Sequence, residues 1–395
     1  MLPAALLPLV PLVLHLRPTA AAYAPLREYS GSTFFDKWDF TDDIDDKTWG
    51  NVTFLGAANA NASKLVDVNA AGNAIIRVDN ATAIAPAVLV SRNSVRIASQ
   101  DAYPLGSVIV ADMVHMPYGC SVWPSFWLLG EEGDWPSAGE IDIVEGINMA
   151  TNNQMSLHTT QGCTQPAGVV QGGKTLVADC LTVSGTTHNG CITEERKENN
   201  YGAGFAAAQG GVYAVQLDVS GIYMWFWSRP NIPASITGAT STSSIDLADW
   251  GTPSAAYPAA SCNITQFFQP QKMIFDITLC GLWAGVSNLY ADTCPGECIA
   301  DNIIGPGSPK YDTAYFEIAY IRTYGVPGTS APDSSSNSST NTTSTAGSST
   351  AGNSTAGNST AGGDPKSGSS GALGISARGG VLSLAVVGIS FLLGF

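Results

Sequence analysis

Gly139-Glu140-Ile141-Asp142-Ile143-Val144-Glu145-Gly146 sets three carboxylates in an apolar, β-branched frame, the composition of a buried strand with one acidic side. Successive side chains of a strand point to opposite faces, so Glu140 and Asp142 share one face and Ile141 and Ile143 the other. Strict alternation would turn Glu145 away from Glu140. A β-bulge around Ile143-Val144 adds one unpaired residue and returns Glu145 to the acidic face, and the two-residue spacer after Asp142 predicts that bulge.

Three carboxylates packed so closely repel one another, and at least one is expected to hold its proton to higher pH than a free Glu does. The result is a protonated carboxyl beside a carboxylate. Glycoside hydrolysis uses such a pair, about 5 Å apart in retaining enzymes. The spacing alone also fits a solvated acidic face or a calcium site. Upstream lie Gly119-Cys120-Ser121-Val122-Trp123-Pro124-Ser125-Phe126-Trp127-Leu128-Leu129-Gly130 and Asp134-Trp135-Pro136. Flat aromatic rings stack on the apolar faces of pyranoses, and tryptophan adds one N–H donor. Trp123 and Trp127, four apart, share a strand face, where each is either core or sugar platform.

The wider pattern is all-β. Segments 107–116, 139–146, 212–219, 222–228, 272–279 and 314–324 are short and rich in β-branched or aromatic residues, and Gly, Pro, Asn and Asp separate them. No long amphipathic helical period is present. Phe316, Ile318 and Tyr320 alternate with Glu317, Ala319 and Ile321, as stacked sheets require. The expected architecture is a jelly-roll β-sandwich of two curved antiparallel sheets, concanavalin A-like in outline.

The run from Cys120 to Cys163, with WPSFWLLG at 123–130, GEIDIVEG at 139–146 and SLHTT at 156–160, closely resembles the fungal laminarinase-like branch of glycoside hydrolase family 16. Weaker likeness continues through residues 211–215, 225–230 and 280–285, so that it spans roughly residues 30–326. The resemblance implies a retaining endo-β-glucanase acting on β-1,3- or mixed β-1,3/1,4-glucan. Glu140 is then the nucleophile and Glu145 the general acid/base. Asp142, between them, tunes their protonation, keeping Glu140 ionised and oriented through hydrogen bonding. Trp123, Trp127, His158 and Trp283 are the substrate-binding candidates. Two positions depart from the family pattern: Asp276, where relatives commonly have Asn, and Leu282, where they have a polar residue beside Trp283. A groove open at both ends suits internal cleavage. A cell-wall transglycosylase and a non-catalytic glucan-binding lectin are the alternatives.

Formal charge of −15 and a pI near 4.5 exclude nucleic acid, whose phosphates need a basic stripe. A neutral polymer is the easier partner, and a monomer is expected. No phosphate loop, HExxH or G-x-S-x-G elbow occurs, and no cofactor or metal is called for. The eight cysteines are an even set suited to disulfides in an oxidising compartment, with 105 connectivities open. Cys294-Pro-Gly-Glu-Cys298 lacks a flanking histidine to complete a zinc set, and its Gly and Pro suit a tight disulfide loop.

Both ends read as processing segments. Residues 1–22 resemble a secretory signal peptide, with cleavage after Ala22 or Ala24, and residues 25–326 form the catalytic domain. Residues 327–370, rich in Ser, Thr and Gly, make a glycosylated linker. Residues 371–395 have the layout of a GPI-anchor signal, with attachment at Ser370, which would tether the enzyme by lipid to the outer face of the plasma membrane or the cell wall. Asn51, Asn61, Asn80 and Asn263 begin N-glycosylation sequons in the domain, and Asn337, Asn341, Asn353 and Asn358 begin others in the tail.

Overall fold

Alternation in the tryptophan-bearing strand Val122–Gly130 sets the layers. Val122, Phe126 and Leu128 enter the core, while Trp123 and Trp127 are partly exposed on the opposite face. The neighbouring strand Glu140–Glu145 buries Ile141, Ile143 and Val144 in the same core. The computed structural model describes residues 22–130 and 133–329. Residues 1–21, expected to belong to a signal peptide, the four tail sequons and Ser370 lie outside the described residues.

Two eight-stranded antiparallel sheets face each other. The first, which carries the acidic strand, runs in the order Lys174–Val177, Cys191–Glu194, Gln154–His158, Glu140–Glu145, Val122–Gly130, Gln271–Leu279, Arg96–Tyr103 and Trp38–Phe40. The second is built around Ser107–His115, which lies between Gly211–Asp218 and the long strand Tyr315–Gly325. All six segments expected to be strands are strands, within one or two residues at their ends. A small third sheet, Asp43–Ile44, Val52–Phe54 and Arg92–Ser94, contains a parallel pair. The jelly-roll sandwich expected from the sequence is the architecture observed.

Between the sheets, Phe126 stacks on Phe275 at 4.3 Å, and Phe275 meets Phe316 of the second sheet edge-on at 5.1 Å. Such aromatic pairs fill the layer with large, geometrically specific side chains. Trp225, Trp227 and Trp250 form a separate buried cluster with Val108, Val110 and Tyr324. These three tryptophans are core.

All eight cysteines are paired, as 120–294, 163–262, 180–191 and 280–298. The tight loop expected at Cys294–Cys298 is not closed on itself. Its two cysteines instead reach Cys120 and Cys280, tying it to the start of the tryptophan strand and to the loop that carries Trp283. Asn61 and Asn263 are exposed, whereas the side-chain amides of Asn51 and Asn80 donate to Val90 O (3.1 Å) and Asp312 Oδ1 (2.8 Å).

Candidate active site

The bulge is present where the spacing requires it. Against Gln154–His158, Asp142 pairs with Ser156 and Glu145 with Gln154, so the acidic strand uses one residue more than its neighbour. Against the tryptophan strand, Phe126 pairs with Val144 and Trp127 with Asp142, which leaves Ile143 as the extra residue. Glu145 thereby returns to the face of Glu140 and Asp142.

A bulge strands backbone groups that the ladder would otherwise satisfy. Fully buried Asn153 takes them up: its Oδ1 accepts from Glu145 N–H at 2.9 Å and its Nδ2 donates to Ile143 O at 2.8 Å. Asn153 N–H in turn donates to Asn200 Oδ1 at 2.6 Å. Sequence reading missed Asn153, because nothing local marks an asparagine eight residues downstream as the partner of a bulge.

Cross-strand register arranges the outward face in rows. One row holds Gln154, Glu145, Ser125, Asp276 and Arg96; the next holds Ser156, Asp142, Trp127 and Ile274; a third holds His158, Glu140, Leu129 and Lys272. On the far side of the Glu145 row, Trp123 pairs with Thr278.

Trp123 and Trp127 are therefore not core, and their N–H groups serve carboxylates. Trp123 Nε1 donates to Glu145 Oε1 at 2.9 Å, and Trp127 Nε1 to Asp276 Oδ1 at 2.7 Å. The Arg96 guanidinium lies over the Trp127 ring at 5.2 Å. Trp283 meets Trp123 edge-on at 5.3 Å. Trp135, which the sequence reading quoted without assigning it a role, donates from Nε1 to Glu140 Oε2 at 2.7 Å and is half-exposed. Each glutamate thus receives one indole N–H. The signal that could have found Trp135 was its place in the loop leading directly into the acidic strand.

His158 lies on the outward face beside Glu140, where its ring nitrogens are taken up by protein partners. It is buried, with Nε2 3.0 Å from Asp142 Oδ2 and 3.8 Å from Glu140 Oε1, and Nδ1 3.0 Å from Thr182 Oγ1. Burial alone would lower its pKa, but the hydrogen bond and charge of Asp142, with Glu140 and Glu145, raise it to about 9. At neutral pH the ring is an imidazolium held against Asp142 and close to Glu140.

Both glutamates ionise late. Burial first, then the charge of Asp142, pushes Glu140 up to about 7, while His158 and the Trp135 N–H oppose the rise. The same two causes push Glu145 up to about 8 against the Trp123 N–H. The expected raised carboxyl is there, with desolvation as the larger cause and mutual repulsion the second. The expectation that Asp142 keeps Glu140 ionised is corrected: its charge makes ionisation of Glu140 harder, and its close partner is His158, which favours ionisation. Asp276 is pushed up to about 6 by burial.

Ligand atoms of Glu140, Asp142 and His158 lie within 4.8 Å of one another, a spacing that could hold a cation. A cation there would have to displace the proton that Asp142 and Glu140 favour on His158. A cavity of about 440 Å³ opens elsewhere, on the second sheet among Asp112, His115, Arg229 and Tyr315. Its charges are committed, with Arg229 paired to Asp112 at 2.7 Å. The paired, differently tuned carboxylates make Glu140 and Glu145 the candidate centre instead.

The model of the XgeA-like catalytic GH16 domain matches residues 38–324. A "probable glycosidase" of Schizosaccharomyces pombe is 36% identical over 307 residues, covering 77% of this chain and 70% of that protein. An endo-1,3(4)-β-glucanase of Emericella nidulans is 33% identical over 322 residues, which are 79% of this chain but 49% of the relative, so the chain spans about half that protein's length. Among solved structures, GH16 laminarinase 16A from Phanerochaete chrysosporium, with β-glucans in its donor and acceptor sites, is 35% identical over 77% of this chain and all of that one, at a TM-score of 0.71. An elongating GH family 16 β-1,3-glucosyltransferase is 34% identical over 77% of this chain and all of its own, at a TM-score of 0.69. With a family match across most of its length and a bulged acidic strand at the centre of its sheet, this chain belongs to glycoside hydrolase family 16, in the XgeA-like group.

Proposed function

We propose that the protein is a retaining endo-hydrolase of β-1,3-glucan or mixed β-1,3/1,4-glucan. The observation that carries the reading is the bulged strand, which puts two late-ionising glutamates on one face, each with its own indole donor. Glu140 as carboxylate attacks the anomeric carbon while the carboxyl of Glu145 protonates the departing glycosidic oxygen. Water then loses a proton to Glu145 and releases the sugar from Glu140. The His158 imidazolium favours the ionised nucleophile, and Asp142 holds that imidazolium charged.

The experiment is a reducing-end and product-length assay on laminarin, barley mixed-linkage glucan and carboxymethylcellulose, run beside Glu140→Gln. Short oligosaccharides from the first two substrates, absent with the variant, support the reading. Substantial turnover by Glu140→Gln removes the nucleophile assignment, and binding without release from any substrate returns a lectin.

Transfer to a second sugar in place of water is the other reading, favoured by the likeness to the elongating glucosyltransferase. Secretion, N-glycosylation, a GPI anchor at Ser370 and residence at the membrane or cell wall belong to the same proposal and rest on the sequons and the terminal sequences. Loss of surface label after phospholipase treatment of cells tests the anchor.

A further inference from the structure

Loop 45–50 is fastened to the outward face of the site-bearing sheet, next to the Trp123 row. Buried Asp45 accepts from Thr278 Oγ1 at 2.6 Å, Thr48 N–H at 3.0 Å and Gly50 N–H at 3.2 Å. Thr278 is the cross-strand partner of Trp123. The Trp283 loop rests on the same segment, because Leu282 N–H donates to Thr48 O at 2.9 Å. Gly281, at φ +62, makes that approach possible: a Cβ there would lie 2.5 Å from Thr48 O.

Two large apolar side chains stand out on these joined loops. Trp49 is 69% exposed and Leu282 63% exposed. Trp49 also holds φ +54, the left-handed region that a bulky residue occupies at a cost of roughly 1–3 kcal/mol. With most of its surface in water, its own burial does little to offset that cost. The strand order fixes its side of the site: from Leu129, beside Glu140, through Ser125, beside Glu145, the strand reaches Trp123 about 7 Å further on. A retaining enzyme keeps its acid/base at the leaving-group side of the scissile bond. With Glu145 serving the leaving oxygen, we assign the ground beyond it to the acceptor.

We infer that Trp49, flanked by Leu282, is an acceptor-side platform that stacks on β-glucan units beyond the first and steers the glycosyl-enzyme toward transfer. The inference rests on the proposed retaining mechanism. In the transfer step Glu145 as carboxylate takes the proton of the acceptor hydroxyl, and the hydroxyl oxygen bonds to the anomeric carbon. The ester bond to Glu140 breaks and Glu140 leaves as a carboxylate.

The test uses laminarihexaose as donor with increasing laminaritriose or glucose as acceptor, resolving transfer from hydrolysis products. In Trp49→Ala the laminaritriose concentration for half-maximal transfer should rise about five- to tenfold, the worth of one stacked ring. The glucose dependence should stay put, and Trp49→Phe should restore most of the loss. Unchanged laminaritriose dependence, equal losses with glucose and laminaritriose, or no transfer by the unaltered protein would each overturn it. Absence of reducing-end release from laminarin by the unaltered protein sinks the glucanase reading itself, whereas normal laminarin cleavage with normal transfer by Trp49→Ala sinks only the platform.

Discussion

Asn153 holds Glu145 in place through the backbone: its side-chain oxygen accepts the Glu145 N–H at 2.9 Å while its nitrogen closes the carbonyl of the bulged Ile143. Replacing Asn153 by Ala leaves both buried groups unpaired, at an expected cost of about 2–4 kcal/mol. Activity should fall further than stability explains, through kcat more than KM, because Glu145 loses its aim. Thermal melting and steady-state kinetics on laminarin check this, and a variant with an unchanged melting point and kcat would refute the bulge-lock role.

On the proposed mechanism the active protonation state has Glu140 ionised and Glu145 protonated. With Glu140 pushed up to about 7 and Glu145 to about 8, kcat/KM should be bell-shaped, falling on the acid side as Glu140 gains its proton and on the alkaline side as Glu145 loses its own. Both limbs belong to the coupled cluster and should lie above the ordinary Glu range. Trp135→Phe removes the N–H that favours ionised Glu140, so the acid limb should move to higher pH. Trp123→Phe should move the alkaline limb the same way. A profile unmoved by either substitution would mean that the indoles do not tune these carboxyls.

The site cluster should make stability fall as pH rises from about 5 to 9. Glu140, Glu145, Asp276 and His158 all have folded pKa values above their ordinary ones, so the folded state binds more protons than the unfolded chain and the slope is negative. Their contributions are fully present below the unfolded values and are lost through about pH 4 to 6 for Asp276, 4.5 to 8 for the glutamates and 6.5 to 9 for His158. Glu145→Gln cannot ionise and should be more stable than the unaltered protein at pH 8 by about 1–3 kcal/mol. Denaturant melts at pH 5 and pH 8 measure this, and equal stability of the two proteins at pH 8 would contradict the shift.

The Cys280–Cys298 bridge spans 18 residues and fastens the loop that carries Trp283. Replacing both cysteines by serine should cost about 3 kcal/mol. It should also weaken oligosaccharide binding by Glu140→Gln on the Trp123 side, where Trp283 meets Trp123. Calorimetry of that double-serine variant, in the Glu140→Gln background, separates the two effects.

The acidic strand, its bulge and the sandwich were legible because they depend on local chemistry. Alternation with a two-residue spacer allows Glu145 to rejoin Glu140 only through a bulge, and β-branched runs between Gly and Pro leave little else for the chain to form. The even cysteine count pointed to disulfides, but which sulfurs met depended on loops brought together across 174 or 99 residues.

What alternation could not say was which of two faces is the core. Trp123 and Trp227 sit in aromatic strands and both face away from the layer between the sheets; only the tertiary cover makes one a donor to Glu145 and the other filler beneath the segment that carries Trp250. Asn153 and Trp135 lie only five to ten residues from their partners, yet their contacts form only once the bulge and the loop into the strand are folded. The sequence by itself determined the chemistry available on one strand. The tertiary structure decided its electrostatics, because burial, the largest cause of the raised carboxyls, is a property of the assembled sheets.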